Sequence, residues 1–174
     1  MQIRTASLAD VDAVVDVHIR SRTEYYRGHI SEERIAAAAS KLRDMRDGFY
    51  AAQIDSPDLD VLCAELDGRV VGFAMSGPCH YPDPDPEVAV ELHHLYVDPD
   101  HWRRGVASSL HEECVRRWRA PGVGAARLFV WEFNERAVAF YAARGWRADG
   151  HFRADAQRIG EHQLAGYRLP VPTA

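Results

Sequence analysis

Val61 to Leu66 and Arg69 to Met75 are two extended apolar runs separated by Asp67-Gly68, a pair suited to a tight turn that demands positive φ. That stretch is a β-hairpin. Helical periodicity comes before it. Gln2 to Thr5 is a short strand, and Ser7-Leu8-Ala9-Asp10 reads as a capping box, with hydroxyl and carboxylate placed for the free amides of a helix start. Leu8, Val11, Val14, Val15 and Ile19 then keep the spacing of one helical face until Tyr25 to Gly28. Ser31 opens a second helix: Glu32 and Glu33 suit its positive end, Ile35, Ala38, Leu42 and Met45 form a stripe, and Gly48 is the expected stop.

After the hairpin, Tyr81-Pro82-Asp83-Pro84-Asp85-Pro86-Glu87 cannot hold a sheet ladder, because prolines lack amide hydrogens, so it is a loop. Val88 to Val97 is the next strand. A turn at Pro99 leads to a helix from about Val106 to Trp118, with Val106, Leu110, Cys114 and Trp118 on one side and Pro121-Gly122 closing it. Arg127 to Trp131 is a strand, Asn134 caps a short helix through Ala143, and Gly145 stands where a left-handed C-terminal residue is expected. Trp146 to Ala148 and Gln163 to Leu169 complete the pattern. The order predicts an α/β (α+β) fold with a mixed, mostly antiparallel sheet of about seven strands flanked by about four helices.

With 174 residues and 47% apolar content the chain, 1–174, suits one compact domain. Its net charge of -5 and dispersed basic residues argue against nucleic acid and membrane surfaces as partners. Cys63, Cys79 and Cys114 are far apart, which points to a reducing compartment, and no apolar stretch resembles a signal core or membrane span. The expected location is cytoplasmic.

The strand Val88 to Val97 runs through Asp98-Pro99-Asp100-His101 into Trp102-Arg103-Arg104-Gly105-Val106-Ala107-Ser108. A small-residue turn opening a helix presents unpaired amides and a partial positive charge to an anion, and two arginines add fork-shaped phosphate donors. Neither GxxxxGK[ST] nor GxGxxG occurs, which excludes the P-loop and dinucleotide fingerprints.

Taken together, Leu95-Tyr96-Val97, the turn Trp102 to Ala107, and Asn134-Glu135-Arg136-Ala137-Val138-Ala139-Phe140-Tyr141 followed by Gly145-Trp146 resemble the core of the GNAT superfamily of acyl-CoA-dependent N-acetyltransferases. The predicted element order is similar along nearly the whole chain. Trp102 departs from the pattern, standing where Gln or Arg is usual. The resemblance implies a GNAT-like domain that moves an acetyl group from acetyl-CoA, as co-substrate, to a primary amine in a ternary complex. It implies that the backbone of Leu95, Tyr96 and Val97 pairs with the pantetheine arm and that Arg103, Arg104, Gly105, Val106, Ala107 and Ser108 hold the diphosphate. It further implies that Asn134 and Ala137 contact the cofactor and that Tyr141 lies beside the thioester sulfur.

Tyr141 is thus the candidate acid for the departing thiolate. Glu91 and His93 lie two apart on a strand and share a face, while His94 points to the other. Glu91 is the first candidate base and His93 the second. Asp83, Asp85 and Glu87 form an acidic stretch that could draw in a cationic amine. Cys79-His80 invites a thiol or metal reading, which the mid-strand setting of His93 and His94 disfavours, so no metal is expected. Two alternatives stand: a non-catalytic acyl-CoA-binding module of the same fold, and a small hydrolase or metal protein built on Cys79, His80 and Glu91. The acceptor, a small-molecule or peptide amine, is unidentified, and the sequence leaves open whether a homodimer forms.

Overall fold

The computed structural model describes residues 1–80, 85–119, 123–153 and 159–171. Its strands are β1 (Gln2–Thr5), β2 (Asp60–Leu66), β3 (Arg69–Gly77), β4 (Val88–Val97), β5 (Ala125–Trp131), β6 (Arg147–Phe152) and β7 (Leu164–Pro170). The helices are α1 (Val11–Tyr26), α2 (Glu32–Asp44), α3 (Ala51–Ile54), α4 (Val106–Trp118) and α5 (Glu135–Ala142). Strand order in the sheet is β1-β2-β3-β4-β5-β7-β6. β4 and β5 pair in parallel; β1 with β2, β2 with β3, β5 with β7 and β6 with β7 are antiparallel. This is the mixed, mostly antiparallel sheet that the pattern predicts.

Residue contacts gather into two compact units, one of Met1–Ser76 with His94–Cys114, the other of Gly77–His93 with the chain from Val115 onward. In the first, Asp67 and Gly68 take φ of 51° and 75°, the geometry a two-residue hairpin turn needs. α1 buries Val11, Val14, Val15, Val17 and Ile19 against Leu42, Tyr50, Cys63 and Phe73. Each such side chain withdrawn from water stabilises the fold by roughly 1.5–3 kcal/mol. α4 comes close to β3 because position 72 has no side chain: a Cβ on Gly72 would lie 3.0 Å from Val106 Cγ1, 3.1 Å from Tyr96 O and 3.2 Å from Leu110 Cδ1. Arg4 fastens strand to helix, donating to both carboxylate oxygens of Asp10 at 2.7 and 2.8 Å and to Glu65 at 2.8 Å. Asp10 Oδ2 in turn accepts from the Ser7 amide at 2.8 Å, the reciprocal half of the capping box.

Two expectations in this unit are corrected. Leu8 is 56% exposed rather than part of the apolar face, because residues 8–10 form a tighter 3₁₀ turn whose three-residue period carries Leu8 out of register with α1. Gly48 does not end a helix and does not adopt positive φ. α2 stops at Asp44, the chain widens into a π turn over Arg46–Tyr50, and the one-turn α3 follows, a fifth helix beyond the four expected. The turning continues because Tyr50 belongs to the core: it is fully buried, with its hydroxyl 2.6 Å from His18 Nδ1.

In the second unit Ala125, Ala126, Leu128 and Val130 of β5 are buried. Trp146 is 2% exposed and meets Tyr141 and Trp118 edge-on, at ring-centroid distances of 5.9 and 6.3 Å. α5 begins where Asn134 Oδ1 accepts from the Ala137 amide at 3.2 Å. It ends as expected at Gly145 (φ 85°), with the Trp146 amide on Tyr141 O and the Gly145 amide on Ala142 O, which satisfies the last free carbonyls. The expected stop at Pro121-Gly122 falls outside the described residues.

Candidate acetyl-transfer site

The turn after β4 is tied down on every side within its own unit. The Asp98 amide donates to Val71 O at 2.9 Å, and the Asp98 side chain accepts from the Asp100 amide at 2.9 Å. Arg20 reaches from α1 to both Asp98 and Asp100 at 2.7 Å. A 3₁₀ turn, Pro99–His101, leads to Trp102, whose indole Nε1–H donates to Val97 O at 2.7 Å. Trp102 is therefore a backbone clamp across the turn. That bond engages the Val97 carbonyl, one of the backbone groups assigned to the pantetheine arm by resemblance. The sequence pattern marks Trp102 only as a departure, and the one local sign of its role is that an indole is a donor.

Beyond the clamp the backbone is strained and open. Arg103 has φ of 60°, which costs a non-glycine residue about 1–2 kcal/mol, and Gly105 has φ of 82°. A Cβ placed on Gly105 would meet nothing within 4 Å, and the Arg103 and Arg104 side chains are exposed. α4 starts at Val106, and its first internal bond runs from the Ser109 amide to Gly105 O at 3.0 Å. The amides of that first turn lack helical acceptors, so the turn offers donors, positive charge and free space together, which fits a diphosphate. Upstream, the Tyr96 ring is spent on packing, stacked on His18 of α1 at 4.2 Å.

In the second unit Glu91 is the centre of a polar cluster and is only 3% exposed. Its Oε2 accepts from the His80 amide at 3.0 Å; its Oε1 lies 3.5 Å from His93 Nδ1 and 3.5 Å from Arg153 Nη1. The shared face expected of Glu91 and His93 is present, and His94 meets His18 instead. Burial pushes the Glu91 carboxyl up, but His93, the His80 amide and Arg153 outweigh it, so Glu91 sits below its ordinary value. It is a fixed anion. His93 Nδ1 is buried and makes no hydrogen bond among the described residues. No local motif signals Arg153 as a partner of Glu91, and only the fold brings it there; His80, grouped with Glu91 in one alternative reading of the sequence, reaches it through its backbone amide.

Tyr141 is buried, 8% exposed, with its ring edge-on to Phe140 and Trp146, and Asn134 caps its helix. The acidic stretch is corrected in part. Asp83 lies outside the described residues, while Asp85 and Glu87 both bind Arg168, at 3.0 and 2.8 Å, and are not an unpaired rim awaiting an amine. Burial first, and Glu91 second, push the Cys79 thiol up, which removes the thiolate that a nucleophile would need.

Known proteins bear out the resemblance. The acetyltransferase (GNAT) family matches over residues 22–146. An uncharacterized N-acetyltransferase of Archaeoglobus fulgidus is 31% identical over 148 residues, 84% of this chain and 93% of that protein. An uncharacterized N-acetyltransferase of Mycobacterium tuberculosis is 28% identical over 162 residues, 92% of this chain and 96% of that protein. Among solved structures, the PaiA N-acetyltransferase of Thermoplasma acidophilum in complex with coenzyme A shares the fold at a TM-score of 0.72 with 21% identity, covering 95% of this chain and 96% of that one. Among the described residues no helix is long and apolar enough to cross a membrane. On the family match and the Archaeoglobus relative, this chain belongs to the acetyltransferase (GNAT) family, enzymes that take their acetyl group from acetyl-CoA.

Proposed function

We propose that this acetyltransferase passes the acetyl group directly to a primary amine of a small molecule or peptide in a ternary complex, with Glu91 and His93 managing the amine proton. The observation that carries the proposal is the buried, ionised Glu91 held against His93 on β4. A carboxylate kept below its ordinary value is a poor proton acceptor by itself, whereas imidazole suits general-base work near neutral pH. Glu91 therefore orients and stabilises, and His93 takes the proton. As the C–N bond forms and the C–S bond breaks, the thiolate receives a proton from the Tyr141 phenol.

Diphosphate binding falls to the amides of Arg103, Arg104, Gly105, Val106, Ala107 and Ser108, supported by the open space over Gly105 and two exposed guanidinium groups. Leu95, Tyr96 and Val97 offer backbone to the pantetheine arm, and Asn134 and Ala137 contact the cofactor. Three free cysteines are consistent with work in the cytoplasm. A homodimer is compatible with this chemistry and is not required by it.

The test is thiol release from acetyl-CoA across a panel of amines. Tyr141→Phe keeps the ring packing, so coenzyme A affinity stays within about twofold while turnover falls by roughly 10²-fold or more. Equal turnover in that variant removes Tyr141 from the mechanism.

A further inference from the structure

The pair proposed to handle the amine proton, Glu91 and His93, belongs to a larger side-chain cluster. His80, Glu91 and His93 offer ligand atoms that all lie within 4.8 Å of one another. A strand turns His93 and His94 to opposite faces, so His94 cannot join Glu91 and His93. The histidine that joins Glu91 is His80, thirteen positions before His93, brought in by the chain that follows β3. Its backbone amide already holds Glu91 Oε2 at 3.0 Å, and its ring lies edge-on to that of His93, with centroids 5.1 Å apart.

We infer that His80, Glu91 and His93 form a binding site for a divalent transition metal, with Zn²⁺ as the best-suited ion, and that the metal switches acetyl transfer off. Two imidazoles and one carboxylate are a borderline-soft donor set that suits zinc and gives magnesium or calcium too few oxygens. Tetrahedral zinc with bonds of about 2.0–2.1 Å needs donors about 3.3 Å apart, so the cluster must contract by about 1.5 Å at most. The contraction falls to the exposed His80 side chain, because Glu91 and His93 are held by the strand, their side chains 3% and 7% exposed. The Nδ1 of His93 supplies the second indication: it is buried, faces Glu91 Oε1 at 3.5 Å and makes no close hydrogen bond among the described residues that a metal would have to break. Arg153, 3.5 Å from Glu91 Oε1, is the cation that zinc must displace.

The consequence for catalysis rests on the roles proposed for Glu91 and His93. Zinc bound there occupies the imidazole that takes the amine proton and neutralises the anion beside it. Acetyl transfer by the full-length protein therefore falls as the site fills and returns when a chelator is added.

The test is calorimetric titration of the full chain with ZnCl₂, with MgCl₂ as control, in the unsubstituted protein and in His80→Ala, His93→Ala and Arg153→Gln. The expected result is one zinc per chain, at least about tenfold weaker binding in each histidine variant, tighter binding in Arg153→Gln, and no heat from magnesium. Co²⁺ in place of zinc should give the visible absorption of a tetrahedral centre, which His80→Ala abolishes. His80 is exposed, so that variant folds and keeps the comparison valid. Absence of zinc binding, or binding that both histidine variants leave unchanged, overturns the site. Because this readout is heat and colour, it stands or falls separately from acetyl transfer.

Discussion

Replacing Trp102 by Phe deletes one donor and keeps most of the ring. The deleted group is the indole N–H that meets Val97 O at 2.7 Å, and Val97 is buried, so its carbonyl has little water to turn to. A net hydrogen bond contributes about 0.5–1.5 kcal/mol, and leaving a buried acceptor unpaired moves the loss toward the upper end. The clamp spans the segment that delivers Arg103 and Gly105 into their left-handed conformations. Loosening it should therefore appear mainly as weaker coenzyme A binding: the dissociation constant rises roughly 2- to 13-fold. Titration calorimetry with coenzyme A measures this directly. Thermal unfolding serves as the control, since a loss of about 1 kcal/mol in a chain of this size lowers Tm by about 2–4 °C. A folded Trp102→Phe protein that binds coenzyme A as tightly as the unsubstituted chain would refute the argument that the indole shapes the turn.

Other perturbations follow from the packing and the charges. Asp10 is held at about 2 against an ordinary 3.8, chiefly by its hydrogen bonds from Arg4. A depressed carboxylate stabilises the fold above its unfolded value and loses that contribution as pH falls toward the folded one. Asp10→Asn should therefore cost about 2 kcal/mol in urea unfolding at pH 6, a difference that shrinks between about pH 4 and pH 2; a gap that persists unchanged at pH 2 contradicts it. Leu110, fully buried beside Gly72, should cost about 2–5 kcal/mol when cut to Ala, measured by denaturant unfolding, and a loss under about 1 kcal/mol would show that α4 repacks freely.

What could be read in the sequence was local chemistry. Ser31 and Asn134 cap helices because their side chains reach amides three residues on, Asp10 reaches back to the Ser7 amide, and Asp67-Gly68 and Gly145 work through backbone φ that neighbouring residues cannot change. Glu91 and His93 share a face because a strand has a period of two. What stayed hidden depends on pairs far apart in the chain. Arg168 neutralises Asp85 and Glu87 from more than eighty residues away, and Arg153 meets Glu91 across 62. The π turn at Gly48 escaped for a related reason: the glycine signals a stop, but burial of Tyr50 in the core prolongs the turning. Trp102 lies between the two cases, a local donor whose acceptor is identified only by the folded turn that brings the indole back to Val97 O.

The most direct test of the account is to incubate the purified protein with acetyl-CoA, with and without each amine of a diverse panel, and follow free thiol. Thiol release that depends on one class of amine, with the acetyl group recovered on its nitrogen, is the predicted result. Tight coenzyme A binding with no amine-dependent thiol release from any member of the panel would contradict it.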